Sequence, residues 1–233
     1  MSDIRHLKLG ISATFPCSYL PDQQEQLLVN CDPVDVNQFG QLLALGFRRS
    51  GDQIYRPHCQ QCDACVPLRV PVGRFKASAS QRRIINKNQD LQWRATLRPQ
   101  SYHRTLYHHY ISERHREGSM FPPSDEQFDR FLLCPWLEIL FLEAWLDDEL
   151  VLVAVTDLLS DSLSATYTFF HPDLAARSLG TRAVLAQIAL AQQLNRQHLY
   201  LGYQIDQCPK MAYKRHFQPA EQFSEQGWVP CPR

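Results

Sequence analysis

Cys59, Cys62 and Cys65 recur at every third position in Tyr55-Arg56-Pro57-His58-Cys59-Gln60-Gln61-Cys62-Asp63-Ala64-Cys65. Thiols at this spacing can converge on one point, which is the chemistry of metals or of redox exchange. Three soft ligands are one short of a tetrahedral zinc or iron–sulfur site. Cys17, in Phe15-Pro16-Cys17-Ser18-Tyr19-Leu20, supplies a fourth if the N-terminal segment folds back, and His58 is the other candidate. The alternative is that these thiols stay reduced and pack as small apolar side chains. Arginines crowd the same stretch, with Arg48, Arg49 and Arg56 on one side and Arg69, Arg74, Arg82 and Arg83 on the other. Their planar forks suit an anionic partner, carboxylate or phosphate.

The net charge of zero conceals a segregation. From Arg48 to Arg104 there are 12 Arg/Lys against three acids, and from Ser119 to Asp173 there are 11 acids against Arg130 alone. Such a split fits one face that meets a polyanion, or two halves that neutralise each other across an internal interface. At 233 residues and 44% hydrophobic content the chain can bury a sizeable core as one large domain or two small ones. No apolar run approaches the ~20 residues of a membrane span, and Met1-Ser2-Asp3-Ile4-Arg5-His6 opens no export signal. The expected compartment is the cytoplasm, where eight cysteines remain thiols.

The elements that position these residues fall into two groups. Residues 34–45 read as a helix capped by Asp35 and ended by Gly46. A hairpin from Phe47 to Tyr55 turns at Ser50-Gly51-Asp52, and Val66–Val72 reads as an edge strand because of its prolines. Ser80 is the expected cap of a basic helix through Arg82, Arg83 and Lys87, and this first unit ends near residue 95. The second unit opens with a helix from about Pro99 to Glu117, then a helix capped by Ser124 with Gln127 three residues on. Leu137–Leu146, Leu150–Leu159 and Leu163–His171 read as an antiparallel meander, followed by a helix over about Ser178–Gln197 and a strand at Leu199–Ile205. Three strands, a turn, a helix and a returning strand are the core order of acetyltransferase-like (GNAT) domains. The expected fold is therefore α+β. A mostly antiparallel GNAT-like sheet with flanking helices (residues 96–233) is preceded by a smaller α+β region with the clustered cysteines (residues 1–95).

Two further segments carry chemistry. Arg177-Ser178-Leu179-Gly180-Thr181-Arg182 resembles a phosphate-holding loop at a helix N-terminus, or is a structural turn. Lys210-Met211-Ala212-Tyr213-Lys214-Arg215-His216-Phe217 interleaves cations and rings, which suits phosphate contact with base stacking, or an edge strand with Tyr213 and Phe217 in the core. His103, His108, His109 and His115 lie on a polar helix with no Ser/His/Asp arrangement around them.

Taken in order, these segments resemble the arginyl/leucyl-tRNA–protein transferase family, in particular its bacterial branch. The likeness is carried by Pro16-Cys17-Ser18-Tyr19-Leu20, Phe47-Arg48-Arg49-Ser50-Gly51, Ala64-Cys65-Val66-Pro67-Leu68-Arg69, Ser80-Gln81-Arg82-Arg83, Tyr167-Thr168-Phe169-Phe170-His171-Pro172, Tyr200-Leu201-Gly202-Tyr203 and Cys208-Pro209-Lys210-Met211-Ala212-Tyr213-Lys214. It implies transfer of leucine from leucyl-tRNA to the α-amine of proteins that begin with Asp or Glu, marking them for degradation. Arginyl transfer is the nearest alternative; an acyl-CoA-dependent acetyltransferase and a non-catalytic RNA-binding module are more distant ones. Eukaryotic arginyl members carry an N-terminal C-x-x-C pair, and here Leu20 follows Cys17 where the second thiol falls. No cofactor is required by the reaction, and Cys17, Cys59, Cys62 and Cys65 are the candidate ligands of an iron–sulfur cluster or zinc. The expected roles are a Tyr203 hydroxyl for the oxyanion and one of Arg49, Arg56, Arg69, Arg82 or Arg83 for the acceptor carboxylate. Arg177, Gly180, Lys210, Lys214 and Arg215 are expected at the tRNA end, and Tyr167, Phe169 and Met211 around the leucyl group.

Overall fold

The computed structural model describes residues 4–232; Met1, Ser2 and Asp3, part of the stretch read above for an export signal, lie outside it with Arg233. The chain opens with β1 (Leu9–Ile11), β2 (Phe15–Pro16), β3 (Gln24–Glu25), β4 (Leu27–Asn30), α1 (Val36–Ala44), β5 (Arg48–Ser50) and β6 (Gln53–Pro57). These build an antiparallel sheet in the order β1-β4-β6-β5, with β2 and β3 paired as a separate small hairpin. Asp35 caps α1 as expected: its carboxylate accepts from the N–H of Asn37 and Gln38, while Gln38 Oε1 accepts from Asp35 N–H. Both ends of that reciprocal pair satisfy donors that a helix start leaves open.

The rest forms one eight-stranded sheet. Its elements are β7 (Val66–Pro71), α2 (Ala79–Lys87), β8 (Gln92–Thr96), α3 (Ser101–Arg114), α4 (Asp125–Leu132), β9 (Ile139–Leu146), β10 (Glu149–Leu158) and β11 (Ser162–Phe170). They continue with α5 (Leu179–Gln193), β12 (His198–Gln204), α6 (Pro209–Ala212), β13 (Glu221–Ser224) and β14 (Gly227–Pro230). The strand order is β14-β13-β7-β12-β11-β10-β9-β8, antiparallel throughout except where β11 meets β12. This is the α+β arrangement, a mostly antiparallel sheet with flanking helices, that the element order implies. Strand β10 reads Leu150-Val151-Leu152-Val153-Ala154-Val155 because both of its faces are covered. Val153 and Val155 pack with Tyr107 and Phe128 from α3 and α4, while Val151 and Ala154 pack with Leu179 and Ala183 from α5.

Two details differ from the sequence reading. Ser78, not Ser80, caps α2, with Gln81 closing a capping box; Ser80 already lies in the helix. The division near residue 95 does not separate the sheets: β7 precedes it and β8 spans it, yet β7 pairs with β12 and β13 and β8 pairs with β9.

The small sheet is joined to the large one by a buried charge network. Arg49 Nε and Nη2 donate to Asp157 Oδ1 at 3.0 and 2.5 Å, and Nη1 and Nη2 also donate to the carbonyls of Gly51 and Leu132. Both side chains are sealed from solvent, at 1% and 0% exposure. Ser164 Oγ donates to the other oxygen of Asp157. Replacing Arg49 by Ala strands the carboxylate and is expected to cost about 3–5 kcal/mol of stability, measured as a lowered urea midpoint.

Candidate active site

Strands β11 and β12 are parallel for three residue pairs, ending at Ser164 and Tyr200. Beyond that point they part: β11 stays with β10 and β12 stays with β7. A parting of parallel strands leaves backbone groups that the ladder no longer satisfies, and they need other partners. Two cationic side chains supply them. Arg48, from β5, donates through Nη1 to Ser164 Oγ at 3.0 Å and through Nη2 to Ala165 O at 2.5 Å. Lys214, from the 3-10 turn Tyr213–His216, donates to Tyr203 O at 2.8 Å. Pro67 faces Tyr203 across the β7 ladder and has no N–H to offer.

Gly202 makes room for Arg48. Its φ is +76°, and a Cβ there would lie 3.3 Å from Arg48 Nε. A bulge between Tyr200 and Gly202 sets this turn of the strand. Any L side chain at 202 would be strained in backbone and would press on the guanidinium.

Around the fork the side chains are mostly aromatic and sulfurous. Tyr167 is ringed by Tyr107, Tyr110, Phe131 and Phe169, and its hydroxyl points at Met120 Sδ, 3.6 Å away. Burial pushes its pKa well above the ordinary phenol value, with Tyr110, Tyr107 and Tyr19 adding to the rise. Tyr213 is pushed up to about 12, again by burial and then by Tyr110. Tyr19, in the loop of the β2–β3 hairpin, is near enough to Tyr55, Tyr167, Cys65 and Cys208 for their charges to interact. Lys214 runs the other way: burial first, then the positive charge of Arg48, brings it down to about 7.

The expected residues divide sharply. Of the five arginines proposed for a carboxylate, Arg56 alone stands at the fork, bonded to Leu45 O and close enough to act on Tyr203. Arg49 is consumed by Asp157. Arg69 pairs with Glu221 and lies over the Trp228 ring, while Arg82 and Arg83 are exposed on α2. Arg48, absent from those expectations, is the guanidinium the fork actually holds. Tyr203 is at the fork, yet its O–H donates to Gly46 O or Tyr55 O, at 3.0 and 3.3 Å. Those bonds tie the two sheets together, and burial and then Tyr55 push its pKa up. Phe169 is fully buried in the core against Tyr107 and Phe128 and lines nothing; Tyr167 and Met211 remain half-buried beside the fork.

The anion-binding expectations change as well. Arg177 forms a two-pronged pair with Asp90, at 2.8 Å for each bond, and holds that carboxyl low. Gly180 sits in the first turn of α5, where a Cβ would make an ordinary 3.7 Å contact with Phe170, so no close backbone approach demands glycine there. Lys210 is exposed. Lys214 turns inward, whereas its neighbour Arg215 lines a cavity of about 640 Å³ with Arg74, Lys76, Ser78, Ser80 and His216.

Cys17, Cys59, Cys62 and Cys65 do come near one another, since the first, second and third all act on the fourth. Burial is the leading influence and pushes Cys65 up to about 12, with Cys17, Cys59 and Cys62 adding to the rise. Among the described residues no group of three or more His, Cys, Asp or Glu side chains is arranged to hold a metal ion. No chemistry below passes through a cluster or zinc.

A strand fork that holds two cations, an aromatic wall and a separate basic cavity suit an enzyme that handles an acyl group on a polyanion. Residues 15–83 match the family model "Arginine-tRNA-protein transferase, N terminus", and residues 102–224 match "Arginine-tRNA-protein transferase, C terminus". The chain belongs to this family of aminoacyl-tRNA–protein transferases. Its relatives include the aspartate/glutamate leucyltransferase of Pseudoalteromonas atlantica, 53% identical over 95% of this chain and 96% of that one. Proteins of the same name from Shewanella putrefaciens and Marinobacter nauticus are 50% and 49% identical, over 95% and 98% of this chain and equal shares of theirs. Among solved structures, L-PGS from Bacillus licheniformis is similar at TM-score 0.47 and 10% identity, over 74% of this chain and 51% of that one.

The lowered pKa of Lys214 has a stability signature. Between about pH 7 and the ordinary lysine value near 10.4 the unfolded chain binds a proton that the folded chain does not. Stability from this group therefore rises with pH across that window, and below pH 7 the full penalty of the buried charge remains. Lys214→Met removes that pH dependence. Its stability relative to wild type is expected to be highest below pH 7 and to fall steadily toward pH 10, measured by urea unfolding at each pH.

Proposed function

We propose that this protein transfers leucine from leucyl-tRNA to the α-amine of proteins with N-terminal Asp or Glu, and so marks them for degradation. The observation that carries the reading is the fork between β11 and β12, where buried Arg48, half-buried Lys214 and an apolar wall meet. The relatives of about 50% identity support the same reaction. The leucyl side chain rests against Tyr110, Met120, Tyr167 and Met211, a wall of rings and thioethers. Arg177, already paired with Asp90, is not free to hold the pyrophosphate of an acyl-CoA.

The acceptor's acidic side chain meets Arg56, with Arg48 behind it adding positive potential. Arg48 keeps its bonds to Ser164 and Ala165 throughout and acts by charge. The ester of the charged tRNA is already activated, so holding amine and carbonyl together supplies much of the rate. The RNA backbone runs to the basic cavity, where Lys76 and His216 carry no ion pair among the described residues, while Arg74 and Arg215 are paired with Glu221 and Asp206. A charged tRNA as substrate places the reaction in the cytoplasm; no described helix is long and apolar enough to cross a membrane.

The direct assay is labelled Leu-tRNA or Arg-tRNA with peptides beginning Asp, Glu or Ala. Leucine on the acidic peptides is expected; transfer from Arg-tRNA alone, or to none of them, ends the reading. Arg56→Ala is expected to erase the preference for acidic over Ala peptides while Leu-tRNA affinity holds. Lys76→Ala is expected to reduce the slope of log affinity against log salt by about 0.7–0.9, the loss of one phosphate contact, with acceptor preference untouched.

A further inference from the structure

We propose that Lys214 is the proton carrier of the transfer, its Nζ taking a proton from the attacking α-amine and returning it to the ribose oxygen that leaves with the tRNA. This rests on the leucyl-transfer reading above and deepens it. Nζ donates to Tyr203 O at 2.8 Å and to Met211 Sδ at 3.4 Å. A neutral lysine has two N–H groups and one lone pair. Two donor directions are thus occupied by fixed partners, and the remaining position of the tetrahedral nitrogen is the lone pair.

The surroundings keep that lone pair available. Arg48 from β5 faces Nζ with a like charge, Cys208 stands at the start of α6, and Cys65 lies ahead of β7. Among the described residues no carboxylate pairs with Lys214. At a value of about 7 roughly half of the side chain is unprotonated at neutral pH, against less than one part in a thousand for an ordinary lysine near 10.4. The acceptor amine titrates near 8, so the two nitrogens are matched for transfer in either direction, which is where general catalysis works best. The other groups at the fork are poorer bases. The hydroxyl of Tyr203 is committed to the backbone, Tyr167 and Tyr213 are pushed up, and so is Cys65. His115, against Tyr110 and near Lys210, is the imidazole that the test below sets against it.

The step balances without a co-reactant. The neutral amine adds to the ester carbonyl, forming the C–N bond, and its surplus proton passes to Nζ. The tetrahedral centre then collapses, the C–O bond breaks with its electron pair on the ribose oxygen, and the Nζ proton completes the hydroxyl. Lys214 ends neutral, as it began.

The test is single-turnover transfer from Leu-tRNA to a peptide beginning with Asp, read as leucylated peptide. Lys214→Ala and Lys214→Met are expected to slow transfer about 10²–10⁴-fold, with Leu-tRNA affinity within about twofold. Added small primary amines are expected to restore Lys214→Ala, more strongly as their basicity rises. Lys214→Arg, which keeps charge and donors without a usable lone pair, is expected to stay inactive. Any of the following results overturns the proposal. The first is near-normal transfer by Lys214→Met, and the second is recovery by Lys214→Arg, which marks a phosphate contact. The third is a folded Lys214→Ala variant indifferent to every amine, or amine rescue of His115→Ala in its place. A wild-type protein that moves no leucine defeats the parent reading instead, and that control is run first.

Discussion

The architecture turns on a guanidinium lodged where two parallel strands separate. Arg48 leaves the small sheet, crosses to β11 and satisfies Ser164 and Ala165 at the point where β12 turns away. A charge in that position is costly to bury, and its compensation is indirect. Ser164 hands a hydrogen bond on to Asp157, which in turn is neutralised by Arg49. Two arginines, one acid and one hydroxyl thus share a net positive charge at the base of the fork. The Arg48 part of that surplus adds to the burial that depresses Lys214, and an anionic acceptor would feel it too. The positive φ of Gly202 and the opposed Pro67 follow from the same demand for space and for unclaimed carbonyls.

The stretch from Cys208 to Phe217 works in two directions because it is coiled into short helical turns. Lys214 and Met211 turn toward the strand fork, while Arg215 and His216 line the basic cavity against α2. Phe217 is fully buried and anchors the segment between them. A single ten-residue span therefore touches both the place proposed for the acyl group and the place proposed for the RNA backbone. An extended strand, the alternative that its alternating pattern allowed, would have put Lys214 and His216 on one face.

Much of the scaffold was legible in the residues. Asp35 and Ser124 announced helix starts, the three apolar runs from Leu137 to His171 became β9, β10 and β11, and the helix with its returning strand completed the order. The site was less legible, for reasons that trace to burial. Arg48 and Arg49 are adjacent on a strand and point to opposite faces, so one would be expected in solvent. Both are buried because β5 is enclosed on each side, and nothing local announces that. Lys214 read as a phosphate contact for the same reason: a cation among aromatics looks alike on a surface and in a pocket. The glycine at 202, inside an otherwise apolar strand, was the one local sign that something approached the backbone closely. Phe169, expected beside Tyr167 around the leucyl group, lies deeper in the core.

The placement of β7 and β8 has a consequence for how the polypeptide acquires its shape during synthesis. Both strands emerge early, yet β7 finds its neighbours only when residues 198–204 and 221–224 appear, and Arg49 waits 108 positions for Asp157. Until then the nascent first third carries unpaired strand edges and two naked guanidiniums. Loop-closure entropy makes such distant pairings slow. The cysteine-bearing half is thus an incomplete object by itself, and cutting the gene between the two matched family segments would yield fragments that need each other to settle.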